Sequence, residues 1–186
     1  IHQAVSGLRQ AGDIEFVVRA LLTRAWLRAL TGPLTGPDSA KSDLDEAQEL
    51  FEVCTNMLDT VQGIPQPVIA RVHGIATAAG CQLVATCHLA IAAESAGFAL
   101  PGRSGGLFCH TPLVAVSRNI GRKRALEMAL TGDVVDAATA AEWGLVNRVV
   151  PPERTLEEAL SLAESIAARA PLAVQAGKKM VNLAFE

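Results

Sequence analysis

The stretch HGIATAAGCQLV, His73 to Val84, combines residue types that could bind and polarise a carbonyl group. It follows the apolar run PVIARV, and the small residues Ala78, Ala79 and Gly80 stand where a helix is predicted to begin. Backbone N–H groups at a helix start, together with the helix dipole, suit an anion or a polarised carbonyl oxygen. Small side chains would let a ligand approach that backbone, but close packing of a helix on a sheet requires them equally. The pattern leaves an oxyanion-binding role and a packing role both open.

A second motif, GRSGG from Gly102 to Gly106, satisfies the Gly-x-Ser-x-Gly pattern of a nucleophile elbow with Ser104 at its centre. Hydrolases with that elbow place an acid and then a histidine after the serine. The only later histidine is His110, and no Asp or Glu stands between it and Ser104. We therefore interpret the motif as a glycine-rich loop.

The cysteines and histidines do not have the spacing of a metal site. The four cysteines form no Cys-x-x-Cys pair, and adjacent Cys–His residues on a strand would point to opposite faces. We expect no metal, and unpaired cysteines fit a reducing compartment. A single histidine is more often structural than catalytic, and His110, in the loop after the glycines, is the best catalytic candidate among the histidines.

Composition excludes several classes of protein. The chain has 186 residues, half of them hydrophobic, which is enough for one domain with a real core. No apolar run approaches the roughly 18 residues of a membrane span, so we expect no membrane partner. The net charge of −3 and scattered basic residues argue against nucleic acid. The densest basic cluster, RNIGRKR from Arg118 to Arg124, is either a solvated helix start or an anion-binding patch for a phosphate-bearing ligand.

Hydrophobic periodicity predicts an α/β fold in which strands alternate with helices and pair mostly in parallel. Two helices carry capping-box patterns, Asp43 with Glu46 and Thr155 with Glu158. Glycines end three of the helices, and Asp136 is predicted as an N-cap. The predicted helices cover residues 2–11, 43–63, 78–85, 121–132, 136–144, 155–170 and 171–185, and the strands cover 15–22, 67–72, 89–94, 98–100 and 145–150.

The chain resembles the enoyl-CoA hydratase/isomerase family, the crotonase superfamily, over roughly residues 43–186. The matching text is PVIARVHGIATAAGCQLVATCHLAIAAESAGFALP, then GRKRALEMALTGDVVDAATAAEWGLVNRVVP and AESIAARAPLAVQAGKKMVNLAFE. Within the family, ATAAGCQLVA, FALPG and GLFCHTP resemble the subgroup of enoyl-CoA hydratase domain-containing protein 3. The resemblance implies a crotonase-like spiral of β-β-α units with C-terminal helices, assembled as a homotrimer or a dimer of trimers. We expect a spiral core over 1–150 and a C-terminal helical region over 151–186, with the chain incomplete at both ends.

The resemblance also assigns site residues. Family members hold an acyl-CoA thioester carbonyl with two backbone N–H groups, of which one maps to Ala79. The other falls near Thr31 and Gly32, although the usual Ala-Gly-x-Asp-Leu signature is absent there. Hydratases in the family use two glutamates around a water, and those positions are occupied here by Gln82 and Gly102. An amide cannot abstract a proton near neutral pH, and glycine offers only backbone.

Two functions follow from the resemblance. The first is an acyl-CoA enzyme of the hydratase/isomerase type, a lyase or isomerase of fatty acid metabolism, that relies on its oxyanion hole and lacks ordinary hydratase activity. The second is a non-catalytic acyl-CoA-binding or regulatory protein. Neither requires a cofactor, because coenzyme A is part of the substrate. We expect the cytoplasm if the source is bacterial and the mitochondrial matrix if it is eukaryotic.

Overall fold

The computed structural model describes residues 21, 25, 28–30, 32, 34–102 and 108–184. The helix predicted over 2–11, Thr31 and the serine of the GRSGG motif lie outside these residues. Leu21 is helical, so the strand predicted from 15 to 22 is wrong at that position. The chain divides into two compact units, Ile1–Asp59 and Thr60–Glu186. The division predicted at residue 150 concerns a different boundary and stays a prediction.

Short strands alternate with helices along the described part of the chain. The helices are α1 (Ala40–Gly63), α2 (Ala79–Thr86), α3 (His110–Ile120), α4 (Arg122–Thr131), α5 (Ala137–Trp143), α6 (Thr155–Ala167) and α7 (Pro171–Ala184). The strands are β1 (Ile69–Val72), β2 (Ile75–Thr77), β3 (Leu89–Ala93), β4 (Gly97–Ala99), β5 (Val135–Asp136) and β6 (Arg148–Val150), and Pro152–Arg154 forms a 3-10 turn.

In the first unit, the start of α1 differs from the prediction. The helix begins at Ala40, so Asp43 is not its cap. Ser39 Oγ accepts from the Ser42 N–H at 3.2 Å, and Ser42 Oγ accepts from the Ser39 N–H at 3.1 Å. Asp43 is instead buried, with its Oδ1 3.0 Å from the Arg28 guanidinium. The predicted Asp43 capping box is therefore wrong, because a long-range ion pair uses the side chain that the pattern assigned to a local cap.

The described strands of the second unit form two three-stranded sheets. β1, β3 and β6 pair in parallel, and β2 pairs in parallel with β4. Only β4 with β5 is antiparallel among these pairings, which confirms the predicted, mostly parallel arrangement. Parallel neighbours need crossover connections, and the helices between the strands supply them. The alanines of β3 are buried, and their small side chains leave room for helices to pack close to the sheet.

Several local predictions in this unit are confirmed. Asp136 accepts a 2.7 Å hydrogen bond from the Thr139 N–H at the start of α5, and this bond lowers the pKa of its carboxyl. Gly132 and Gly144 end their helices in the left-handed conformation, and Pro171 is the first residue of α7.

The Thr155–Glu158 capping box is wrong. Thr155 is fully buried as the first residue of α6, where its hydroxyl donates to the Pro152 carbonyl and accepts from Arg71 Nε at 2.9 Å. Glu158 instead forms an ion pair with Arg148. Both polar side chains bind partners outside their own helix. The Thr155–Glu158 spacing therefore reflects contacts of α6 with other parts of the fold, and not a local cap.

Candidate functional site

The candidate site begins at the residue before α2. Ala78 has φ 47° and ψ −116°, a left-handed backbone conformation that L-residues other than glycine rarely adopt. Its N–H donates to the Ala99 carbonyl at 3.0 Å, and its carbonyl accepts from the Gln82 N–H at 2.9 Å. The residue is buried, with 4% of its surface exposed. The turn into α2 is therefore held on both sides by hydrogen bonds, and the helix starts one residue later than predicted.

The next two residues carry the candidate oxyanion donors. Ala79 and Gly80 open α2 and are exposed, and no described residue accepts a hydrogen bond from either N–H. The first N–H groups of a helix have no partner within it. A Cβ built on Gly80 would meet no atom within 4 Å, so the space beside this backbone is open. The arrangement offers backbone donors at a positive helix end, as the sequence predicts.

The end of β4 lies beside this turn. Thr77 of β2 pairs with Ala99 of β4, and Pro101 and Gly102 then have 3-10 helical backbone conformation. Gly102 is buried and lies three residues beyond the carbonyl that binds Ala78. Gln82 and Gly102 thus belong to segments that the β2–β4 pairing brings together.

Gln82 lies in the first turn of α2 and is half-buried. Its side chain forms no hydrogen bond with a described residue, so its oxygen can accept and its nitrogen can donate a hydrogen bond to a ligand. The amide can orient a water or a substrate group, but it is not a general base.

His110 is the first residue of α3, not a loop residue as predicted, and it is exposed. Its ring meets that of Phe108 edge-on, with 5.3 Å between the centroids.

Asn119 near the end of α3 donates to the Ala85 carbonyl near the end of α2 at 3.0 Å. The carboxyl ends of the two helices therefore meet.

The amino ends of α2 and α3 also lie close together. Cys81 is fully buried in the first turn of α2, and Cys109 directly precedes α3. Burial, with a smaller contribution from the nearby charge of Cys109, raises the pKa of the Cys81 thiol to about 12. Cys81 is therefore a packed, protonated thiol. The two helices run side by side in the same direction, and His110 lies at the same end of the unit as Ala79.

Sequence reasoning did not identify two features of this end. The left-handed conformation of Ala78 carries no sequence signal, because alanine has no preference for it. The approach of Cys81 to Cys109 depends on helix packing, and their separation along the chain gives no indication of it.

The second oxyanion donor, predicted near Thr31 and Gly32, is not observed as a free N–H group among the described residues. Gly32 belongs to the first unit, where its N–H donates to the Arg28 carbonyl at 2.8 Å, and Thr31 lies outside the described residues. The assignment of a second donor stays a prediction.

Within the described ranges, no three His, Cys, Asp or Glu side chains are grouped so as to hold a metal ion. Among the described helices, none is long and apolar enough to cross a membrane.

Comparison with known proteins gives consistent matches. The family model described as enoyl-CoA hydratase/isomerase matches residues 37–186. Rat (Rattus norvegicus) mitochondrial enoyl-CoA hydratase domain-containing protein 3 is 45% identical over 134 residues, covering 72% of this chain and 45% of the relative. The chain thus spans less than half the length of that relative.

Solved structures agree. An enoyl-CoA hydratase from Mycobacterium smegmatis matches with a TM-score of 0.74 and 50% identity, over 76% of this chain and 55% of that one. Human enoyl Coenzyme A hydratase domain-containing protein 3 matches with a TM-score of 0.71 and 43% identity, over 74% and 55% of the two chains. These matches confirm the predicted family resemblance, the likeness to that subgroup, and the crotonase-like α/β fold.

Proposed function

The chain belongs to the enoyl-CoA hydratase/isomerase family, and we propose that it binds acyl-CoA thioesters, with the backbone N–H of Ala79 holding the thioester carbonyl. One observation carries the proposal: Ala79 and Gly80 are exposed residues whose N–H groups have no acceptor among the described residues, beside the Ala78 turn that hydrogen bonds hold in place. Donors that are fixed before the ligand arrives stabilise a developing oxyanion without reorganisation.

We expect ordinary enoyl-CoA hydration to be absent. Water addition needs groups that orient and deprotonate the water, and a positioned acid or base contributes about 10²–10⁴-fold in rate. The family's two glutamate positions hold Gln82 and Gly102, which supply no carboxylate. An oxyanion hole alone can still assist a reaction that forms a thioester enolate, such as isomerisation, hydrolysis or decarboxylation. His110 is the candidate base for such a step.

A non-catalytic acyl-CoA-binding or regulatory protein is the second candidate function. The same two positions favour it, because Gln82 and Gly102 supply no carboxylate for proton transfer, while the N–H groups of Ala79 and Gly80 have no acceptor among the described residues. Robust turnover of any acyl-CoA by the purified protein would exclude this candidate.

Assembly and location are proposed from the same relationship. We expect a homotrimer or a dimer of trimers, and the apolar side chains exposed on α6 and α7 support self-association. In a eukaryotic source we expect the mitochondrial matrix, since the rat relative is described as mitochondrial. In a bacterial source we expect the cytoplasm.

The ligand itself offers a direct test of the carbonyl contact. Butyryl-CoA and its thioether analogue S-butyl-CoA differ only in the carbonyl oxygen that the Ala79 N–H would bind. Isothermal titration should show butyryl-CoA binding about 2- to 12-fold more tightly, as one net hydrogen bond implies. Equal affinities for the two ligands would refute the carbonyl contact while leaving acyl-CoA binding intact.

A pair of glycine variants tests where the ligand binds. Gly80 and Gly177 are both helical, and a Cβ on either would meet no atom within 4 Å. Gly80→Leu should therefore fold but obstruct the backbone donors, whereas Gly177→Leu should change only α7. Saturating butyryl-CoA at about 100 times Kd should raise the melting temperature of the parent and of Gly177→Leu by roughly 5–10 °C. A similar rise for Gly80→Leu would show that acyl-CoA binds elsewhere.

A further inference from the structure

A group of basic side chains lies at the junction of α3 and α4, at the opposite end of α3 from His110. Arg118, Arg122, Lys123 and Arg124 fall within seven positions of a chain whose net charge is −3. None of them forms an ion pair with a described residue. The Arg124 guanidinium lies 5.5 Å from the centre of the Trp143 ring and is engaged there. Arg118, Arg122 and Lys123, which are exposed, form what we call the basic corner.

The local structure makes this position unfavourable for cations. Arg122 and Lys123 are the first two residues of α4, and the first turn of that helix contains no acidic residue. The positive end of a helix dipole favours acidic side chains and disfavours basic ones. For the stability of α4 alone, acidic residues would be more favourable than Arg122 and Lys123 at these positions. A negatively charged partner bound here would interact favourably with both the basic side chains and the helix dipole.

The basic corner lies away from the acyl-CoA site. His110 begins α3 at the end where α2 also begins, whereas Arg118 is in the last turn of α3 and α4 starts two residues after it ends. Eleven helical residues separate the two ends by roughly 16 Å. A group bound at the basic corner is therefore distinct from the reacting end of the proposed substrate.

Apolar side chains continue from the basic corner along the exposed side of α4 and into the segment that follows it. Val134, 58% exposed, lies three residues beyond the end of α4, whereas Leu126 and Leu130 within the helix, 38% and 62% exposed, follow Lys123 at intervals of three and four residues. Positions at these intervals share one face of a helix. We call these three side chains the apolar stripe. It gives the surface an ordered pattern, basic at one end and apolar beyond it.

We propose that the basic corner and the apolar stripe together dock an acidic, amphipathic helix of a partner protein. Carboxylates at one end of such a helix would meet the basic corner, and its apolar face would pack on the apolar stripe, as helices do when they bind grooves. An anionic bilayer fits less well, because exposed Glu127 and Asp133 flank the stripe and would face the headgroup charges. A nucleic acid would leave the stripe uncovered and be repelled by the net negative chain.

The experiment uses a fluorescein-labelled helical peptide with glutamates in its first two turns and leucines along one face. Fluorescence anisotropy should show saturable binding below roughly 100 µM that weakens with salt. Arg122→Glu with Lys123→Glu should weaken binding at least about tenfold. The matched control, Arg169→Glu with Lys179→Glu, changes the net charge equally at two other exposed cations and should stay within about twofold. Butyryl-CoA affinity should be unchanged in all variants, which separates this proposal from the proposed function.

Four outcomes would overturn the proposal. They are no saturable binding of the peptide, an equal loss in the control variant, equal binding of a scrambled peptide of the same composition, and tighter binding to phosphatidylserine-containing vesicles than to the peptide. The third outcome would reduce the surface to non-specific charge attraction, and the fourth would assign it to a bilayer. Leu130→Ala supplies a second measurement, because it should weaken peptide binding without changing its salt dependence.

Discussion

Replacing Ala78 by glycine should relieve strain at the turn that begins the candidate site. Ala78 holds φ 47° and ψ −116° while nearly fully buried, and a non-glycine residue in such a conformation costs about 1–3 kcal/mol. Ala79, the next residue, is exposed and helical. Ala78→Gly and Ala79→Gly make the same substitution at neighbouring positions, of which only Ala78 has the strained conformation. Comparing their stabilities therefore measures the strain.

The expected magnitudes differ in sign between the two positions. At Ala78, glycine relieves about 2 kcal/mol of strain, loses about 0.8 kcal/mol from a buried methyl group, and costs about 0.7 kcal/mol in unfolded-chain entropy. The net effect is a stabilisation of about 0.5 kcal/mol. At Ala79 no strain is relieved, and glycine in a helix should destabilise by about 0.5–1 kcal/mol. Ala78→Gly should thus be the more stable variant by roughly 1 kcal/mol.

Urea denaturation followed by circular dichroism measures this difference, and thermal melts should separate the two variants by about 2–4 °C. Without strain, the lost methyl group and the added chain entropy would make Ala78→Gly the less stable variant, by about 0.8 kcal/mol. That order of stabilities would refute the reasoning, because it would show that the surrounding hydrogen bonds hold Ala78 without cost.

Three further predictions concern activity, assembly and pH. Crotonyl-CoA hydration, measured as loss of enoyl-thioester absorbance, should be near background in the parent protein. The double variant Gln82→Glu with Gly102→Glu should gain a measurable hydration rate. Robust turnover by the parent that is abolished by His110→Ala but not by a change at Gln82 would contradict the assignment of Gln82 and Gly102 as the lost acid–base pair. Light scattering should show a trimer or a multiple of it, and a clean monomer from the full-length protein would contradict self-association. Because the pKa of Cys81 is raised from 9.0 to about 12 in the folded state, its unfolded form loses a proton first, so stability should fall as pH rises from about 9 towards 12. Cys81→Ala should flatten that fall in urea melts, and an unchanged pH dependence would contradict it.

Much of the fold could be predicted from the sequence because the decisive signals are local. Gly132 and Gly144 end α4 and α5 in a conformation that glycine adopts at no steric cost, and Pro171 suits the first turn of α7 because its missing N–H is not needed there. The strand PVIARV and the small residues after it also predict the turn into α2. The helix start of the candidate site followed from these features, and the crotonase-like fold followed from the family resemblance.

The tertiary structure decided which polar side chains serve their own helix and which serve a distant one. Asp43 and Thr155 both fit a capping pattern, yet Asp43 binds Arg28 and Thr155 binds Arg71, which is 84 residues away in the chain. The conformation of Ala78 is likewise held by the carbonyl of Ala99, which the pairing of β2 with β4 brings into reach. A sequence indicates the backbone preference of each residue. It does not indicate which distant donor or acceptor a polar group will bind, because that partner comes into contact only when the chain folds and burial removes the water that competes with it.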